Sequence, residues 1–530
     1  MLTDPHSVKS QAETALVDNH FDFIAKYHAI ADLRHLARTT PHRLDERTIG
    51  ALGILLRSDR FRRVRQRYFL FREAAAVMRD MAKAADGSPM GPAALAALAT
   101  LLGQVHGSAH RGVAEALGSL PVSIRGPALP DGRHGPPPTM GWDDLLAANG
   151  LRPAAASYRI GRSVVTPLAR SDRLLVVKLA REGDRFADLS REILWMRVLR
   201  QPEFTVACRF HIPRPLTVDC QSLLRLRSLP LPPPEGAARF PRDLAIAFVA
   251  HRDYFVYPNQ RHIDGTAALE MLGRNAFLMG RLASMGVIHD APIQLFHNRT
   301  QRMRRDDQGR YQWFRAGRLD QWLDSCAFPN LGLSGLRDFE HLASFTSDSR
   351  HLYRHIGSHF LSLLLVAGSY FRCRDKGRRG LDDNGAPQDT RDLFDRSLLA
   401  AMIRDIFGRY YAGFTGTAAP RRLPLDEDRL VDRMIDEMGV DRHMTELLRR
   451  VDQQQMSDAQ FADFLAQRGY GASRREGCRR GEKDMRFVSG PHLGDFNRPI
   501  SLPELIEAVA AMSAVCIAGR FTVDGAPDAR

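Results

Sequence analysis

A chain of 530 residues, 44% hydrophobic and 26% charged, is too long for one compact domain and too apolar to be disordered over most of its length. Basic residues, almost all of them arginine, exceed acidic ones to give a formal charge of +14 at pH 7, which suits partners bearing carboxylate or phosphate groups. Six scattered cysteines, none in a C-x-x-C pair, exclude a disulfide ladder and a zinc knuckle.

No DNA- or RNA-binding motif accompanies the charge, so nucleic acid ranks behind an anionic small molecule as the expected partner. Arginine richness can also arise simply from a GC-rich genome. The start, Met1 to His6, lacks a basic-then-apolar leader, and the best apolar run, Phe360 to Phe371, is too short to span a bilayer. A reducing cytoplasm fits these features, and a homodimer is compatible with them.

Along the chain, residues 1–120 read as a helical N-terminal domain. Ala51 to Leu56 and Val64, Tyr68 and Phe71 place apolar side chains at helical spacing with arginines between them. The basic helix Phe61 to Met81 is expected to be a packed helix with a solvated face rather than a membrane-surface helix, and Ala93 to Leu102 and Gly112 to Leu117 read as two further helices. Residues 121–150, which include the run Gly135-Pro136-Pro137-Pro138, read as a Pro/Gly-rich linker.

Residues 151–260 change character and read as a small β-rich lobe. Ser163 to Thr166, Leu174 to Leu179, Leu244 to Val249 and Tyr254 to Tyr257 are β-branched or aromatic runs expected as strands, with a helix over Asp188 to Leu199. A helix over Thr266 to Met285 opens a mostly helical lobe, 261–390, and helices return in 391–530 until about Gly519, beyond which a loose tail is expected. The fold class expected is α+β: an N-terminal helical domain, then a two-lobed kinase-like core built of a small antiparallel sheet with one helix and a mostly helical lobe.

Four features carry candidate chemistry. Lys178 ends an apolar strand and Glu192 lies on the next helix, the order in which a strand lysine held by a helix glutamate grips nucleotide phosphates. A lysine reaching from a strand end to water would look the same. Met285-Gly286-Val287-Ile288-His289-Asp290 ends a helix, adds a short strand and delivers His-Asp at its end, where Asp290 could orient an acceptor; an ordinary turn is the alternative. Asn298, eight residues past Asp290 rather than the usual five, is a candidate second metal ligand. Asp338, in Arg337-Asp338-Phe339, comes after an apolar strand and is the candidate magnesium carboxylate. A G-x-G-x-x-G loop is missing; only Gly161 lies in the first hairpin. His351, His355 and His359 recur every four residues, which is metal-ligand spacing, but with no acidic partner nearby a polar helix face is expected.

Over roughly Ala154 to Phe371 the chain resembles the NRPS-independent siderophore synthetases of the aerobactin type. Ser157-Tyr158-Arg159-Ile160 is similar to that family's S-x-R-T motif, Gly286 to Leu295 to its G-x-x-x-E-A-H-x-Q-N loop, and Arg337-Asp338-Phe339-Glu340-His341 to its R-D-F-x-G segment. Pro292, Leu295, Ile160 and His341 depart from these motifs. The resemblance implies ATP and Mg²⁺ as cofactors, with Ser157, Arg159, Lys178, Glu192 and Gln294 around the nucleotide. It also implies adenylation of a polycarboxylate, with Arg337 near its carboxylate, and then condensation with an amine or hydroxyl. Three readings therefore stand: an adenylating ligase, a phosphotransferase acting on a small molecule or protein acceptor, and a scaffold that uses the fold only to bind.

Overall fold

The computed structural model describes residues 4–18, 22–57, 67–84, 98, 113–114, 116, 124, 126–127, 136–180, 186–231, 244–260, 262–293, 329–346, 349–372, 391–421, 423, 425–439 and 503–524. The fold is mixed α+β. The chain opens with four helices, α1 (Pro5–Val17), α2 (Phe23–Thr39), α3 (Glu46–Arg57) and α4 (Arg67–Ala84). Asp4 and Asp22 cap the first two by accepting from the His6 and Ile24 amides, which satisfies orphan donors at each N-terminus. Ala29, Ile30, Leu33, Leu36 and Ala37 form the buried stripe of α2. Lys26 is buried with them and donates to the carbonyls of Ala15, Leu16 and Asp18, so a cation caps the C-terminus of α1.

Among the described residues the central sheet has seven strands: β1 (Thr139–Met140), β2 (Tyr158–Ile160), β3 (Ser163–Pro167), β4 (Arg173–Leu179), β5 (Arg214–Pro215), β6 (Leu223–Leu226) and β7 (Leu244–His251). They lie in the order β1-β6-β7-β4-β3-β2, with β5 also on β7. The sheet is mixed rather than antiparallel, because β1 runs parallel to β6. β1 and the short helix α5 (Trp142–Ala148) fall where a linker was expected; Trp142, Leu145 and Leu146 are buried against one sheet face. Tyr254 to Tyr257 is not a strand. His251 Nδ1 accepts from the Asp253 amide and starts a 3₁₀ turn over Arg252–Phe255.

Strand alternation sets what each face carries. Leu175, Val177 and Leu179 of β4 pack toward α5, with Ala245, Ala247 and Val249 of β7. Leu174 and Val176 point to the opposite face, and so does Lys178, whose register partners are Ser163 and Ile246. Helix α6 (Phe186–Leu199) covers that face with Leu189, Ile193 and Met196. A lysine at this position of this strand is thus delivered to a helix, not to water.

After α7 (Pro202–Cys208) the long α8 (Gly265–Ser284) leads into β8 (Val287–His289), and the hairpin β9 (Leu331–Gly332)–β10 (Gly335–Leu336) precedes β11 (Leu342–Ser344). β8 and β11 pair antiparallel, His289 opposite Leu342. Asp264 caps α8 through the Ala267 amide, and Gly286, at φ 79°, turns the chain out of it. Beyond α9 (Ser349–Arg372) lie three further helices, α10 (Arg396–Thr415), α11 (Glu427–Gly439) and α12 (Pro503–Asp524), the last running past Gly519 where a tail was expected. α8 and α10 cross closely because Gly280 and Gly413 have no side chain. A Cβ on Gly280 would collide with the Tyr410 carbonyl oxygen, and one on Gly413 with that of Phe277. No described helix is long and apolar enough to cross a membrane.

Candidate functional site

Three elements meet at Lys178. Its ammonium donates to Glu192 Oε2 of α6 at 2.6 Å and to Asp338 Oδ1 at 2.9 Å, and Glu340 Oε1 lies 3.8 Å away. Lys178 and Glu192 are fully enclosed, whereas the Asp338 side chain is 32% exposed. Of the two readings open for Lys178, the one in which it reaches to water is excluded. A buried ion pair survives only when geometry and neighbouring charges offset desolvation. Burial and Arg162 oppose the lysine's charge, but Asp338, Glu192 and Glu340 outweigh them and raise its pKa. Burial pushes Glu192 up to about 7 against the pull of Lys178, with Glu340 and Asp338 adding to the rise. Glu192 Oε1 has no hydrogen-bond partner among the described residues.

Asp338 sits at φ 51°, ψ 61°, in the left-handed region, where aspartate is among the few tolerated residues. Such backbone costs about 1–3 kcal/mol and is retained where the surroundings demand it. The conformation starts the 3₁₀ turn Phe339–His341, with the His341 amide donating to the Asp338 carbonyl at 3.0 Å. Phe339 is buried, which anchors the turn, and the carboxylate of Asp338 lies beside Lys178, partly exposed to solvent.

The second carboxylate, Asp290, comes directly after β8. Its amide donates to the His341 carbonyl at 3.0 Å, and its Oδ1 lies 3.3 Å from His341 Nδ1. Burial would raise the Asp290 pKa, but the His341 bond and charge outweigh it and hold the carboxyl below its ordinary range. Burial lowers His341, and Asp290 more than reverses this. The Asp290 side chain is 49% exposed, so an ionised acceptor faces solvent next to the Asp338 turn.

A chain of neutral groups holds these loops in place. His289 Nε2 lies 2.8 Å from the Arg337 carbonyl, which can only accept, so the ring proton sits on Nε2 and Nδ1 accepts from the Ala291 amide at 3.3 Å. His359 Nε2 donates in the same way to the His289 carbonyl at 3.0 Å, and its Nδ1 accepts from the Tyr410 hydroxyl at 2.8 Å. Burial lowers His289 to about 4 and His359 to about 3. The helical histidine triplet is therefore neither a ligand set nor a plain polar face. His351 is exposed, His355 packs beside Phe345, and His359 is a buried strut.

The hairpin between β2 and β3 is fastened to the Asp338 turn. Gly161 takes φ 54° at its tip, and the next residue, Arg162, turns inward. Arg162 Nη2 donates to both Glu340 oxygens, at 2.6 and 2.8 Å, and both side chains are buried. Neither residue stood out in the sequence. They are 178 positions apart, and the nearest signal is the glycine that makes the turn possible.

The residues expected at the site fall into four groups. Lys178, Glu192 and Asp338 converge, and Asp290 joins them through the β8–β11 pair. Ser157 Oγ is 2.7 Å from Thr166 Oγ1, a cross-strand contact, and Arg159 lies on β2 opposite Val164. Arg337, expected beside a substrate carboxylate, has a different set of neighbours. Its guanidinium donates to the Pro329 carbonyl and lies 5.4 Å over the Tyr257 ring and 5.9 Å over that of Phe255, which ties the hairpin to the 3₁₀ turn after β7. Gln294 and Asn298 lie outside the described residues.

Among the described residues no three His, Cys, Asp or Glu side chains converge as a metal cage. The donor set instead suits Mg²⁺, which takes one or two carboxylates and completes its shell with water and phosphate oxygens. Asp338, 32% exposed and bonded to Lys178 through Oδ1, is the carboxylate of the cluster that could contribute to such a shell. No known protein family matches the chain, and no characterised protein is significantly similar to it.

Proposed function

We propose that the cleft between the sheet and the Asp338 turn binds Mg-ATP, in a two-lobed kinase-like arrangement, and that the protein is a phosphotransferase. The observation that carries this is the position of Lys178, held by Glu192 and touching Asp338. Phosphoryl transfer depends on positioning and charge stabilisation, and this lysine–glutamate–aspartate set is the group that cradles phosphates and holds magnesium in kinases. Lys178 would bind the phosphates and Asp338 the metal, which neutralises charge on the transferring group when bound. Asp290, ionised and solvent-facing, would accept the proton of an acceptor hydroxyl as its oxygen bonds to the γ-phosphorus and the bond to ADP breaks. His341 orients Asp290. Arg162, latched to Glu340, would bring the hairpin tip over the phosphates in place of a glycine-rich loop.

A second reading, adenylation of a polycarboxylate, draws on Arg159 of β2, which could bind a polyanion. It loses support at Arg337, whose guanidinium donates to the Pro329 carbonyl and lies over two rings.

The experiment is product analysis after incubation with Mg-ATP and candidate acceptors, including citrate with hydroxylamine. ADP release that is lost in Asp290→Asn supports phosphotransfer. Pyrophosphate and AMP release supports adenylation. Nucleotide binding with neither product supports a binding scaffold.

A further inference from the structure

A second cleft, of about 240 Å³, opens away from the Lys178 cluster, between the end of α7, the middle of α8 and the β9–β10 hairpin. None of Lys178, Glu192, Asp290 or Asp338 lines it. Its walls are apolar and partly aromatic, from Phe210, Phe277, Leu278 and Leu333. Phe277 is 38% exposed, a large ring left uncovered at the opening. A dry apolar cavity of roughly 150 Å³ accepts a benzene ring, so this volume accommodates one or two fused rings.

Three arginines also line the cleft: Arg209, Arg274 and Arg409. Arg409 is engaged by Glu270, at 2.7 and 3.2 Å, and by Asp405 at 2.9 Å. Arg209 and Arg274 are exposed, and among the described residues neither has a carboxylate partner. Arg209 is held at the mouth by its left-handed backbone, φ 46°, which caps α7. Two guanidinium groups with no carboxylate partner among the described residues, beside aromatic walls, have the character of an anion site with an apolar floor.

The third observation is Asn275, which lines the same cleft and is 1% exposed. Its Nδ2 donates to the Met271 and Gly332 carbonyls, both at 2.8 Å, which fixes the amide orientation because carbonyls only accept. Oδ1 is left with no donor among the described residues. A buried acceptor without a donor costs about as much as a lost hydrogen bond, so it is a place where an occupant's hydroxyl or N–H gains affinity.

We infer that this cleft is a separate binding site for a small planar aromatic carboxylate that carries a hydrogen-bond donor on its far edge. The carboxylate meets Arg209 and Arg274, the rings lie against Phe210 and Phe277, and the donor reaches Asn275. Gly332, Leu333 and Gly335, which line the cleft, belong to the hairpin that leads into Asp338, so the occupant rests on the element that carries the proposed metal carboxylate. The inference does not depend on the phosphotransferase reading.

The test is a fluorescence titration of the full-length protein with 6-hydroxy-2-naphthoate, beside 2-naphthoate, 2-naphthol and inorganic phosphate. The expected result is saturable 1:1 binding of the first probe, weakened about tenfold or more in the Arg209→Gln/Arg274→Gln double variant and about tenfold for 2-naphthol. Affinity is expected to be unchanged by saturating Mg-ATP, which separates this cleft from the proposed nucleotide cleft. Equal binding to the double variant, or displacement of the probe by phosphate or by Mg-ATP, would overturn the assignment. Equal affinity for 2-naphthoate would overturn the role of Asn275. Both arginines are exposed, so the double variant is expected to keep the wild-type circular dichroism spectrum, and the affinity comparison is read beside that spectrum.

Discussion

Lys178 and Asp338 stand 160 positions apart in the chain and 2.9 Å apart in space. Around them the site holds more charge than a single ion pair needs, with Glu192, Glu340 and Arg162 enclosed in the same cluster. Removing one member leaves another buried without compensation, and this governs how variants behave.

Lys178→Met is expected to lower unfolding free energy by about 3–5 kcal/mol, because Glu192 is stranded in the core. Adding Glu192→Gln should recover at least about 1–2 kcal/mol, since the amide carries no charge to desolvate. Urea unfolding of both variants measures this; a double variant less stable than the single one would contradict the coupling.

Arg162→Ala removes the latch between the β2–β3 hairpin and the Asp338 turn. Amide hydrogen exchange over residues 158–167 is expected to speed up, while exchange in α10 stays as in the wild type. If the hairpin amides keep their protection, the Arg162–Glu340 contact does not hold the hairpin in place.

The pH dependence of stability isolates the histidine strut. His359 has a folded pKa of about 3 against an ordinary value of 6.5, so it binds its proton mainly when the chain unfolds. Its stabilising contribution is complete above pH 6.5 and is lost as pH falls toward 3. His359→Gln lacks this linkage. Between these limits the wild type should lose about 1.4 kcal/mol per pH unit relative to the variant. Parallel pH profiles for the two proteins would show that His359 is not buried neutral.

Gly280→Ala and Gly413→Ala should each destabilise by about 1–3 kcal/mol or more, because the added methyl meets backbone across the α8–α10 crossing and cannot rotate away. Gly408, with open space around its Cβ position, is the control, and Gly408→Ala is expected to be neutral or stabilising. Thermal unfolding of the three variants orders them.

Much of the site's linear order can be read in the sequence. An apolar strand ending in Lys178, a helix carrying Glu192 and an aspartate before Phe339 each leave a local trace. What cannot be read is pairing between distant residues. Arg162 finds Glu340 at a separation of 178, and His359 finds the His289 carbonyl at 70 and Tyr410 at 51, with no local pattern to announce them. β1 escapes because it is two residues long and adjoins a proline run, so only its parallel pairing with β6 identifies it. Tyr254 to Tyr257 misleads in the other direction. Its aromatics favour a strand, but the His251 side chain caps the Asp253 amide and curls the chain into a 3₁₀ turn. Arg337 shows the limit of reading roles from motifs, since the guanidinium next in sequence to Asp338 lies over two rings and donates to a carbonyl.

The decisive test of the proposed nucleotide site is a thermal-shift titration with Mg-ATP on the wild type and on Asp338→Asn, a variant that keeps the size of the side chain. The wild type is expected to be stabilised as ligand saturates, by about 2.7 kcal/mol at a hundredfold excess over Kd, and Asp338→Asn to lose most of that gain. A wild type that does not respond to Mg-ATP, or a variant that responds equally, would contradict the assignment of Lys178 and Asp338 to a nucleotide and its metal.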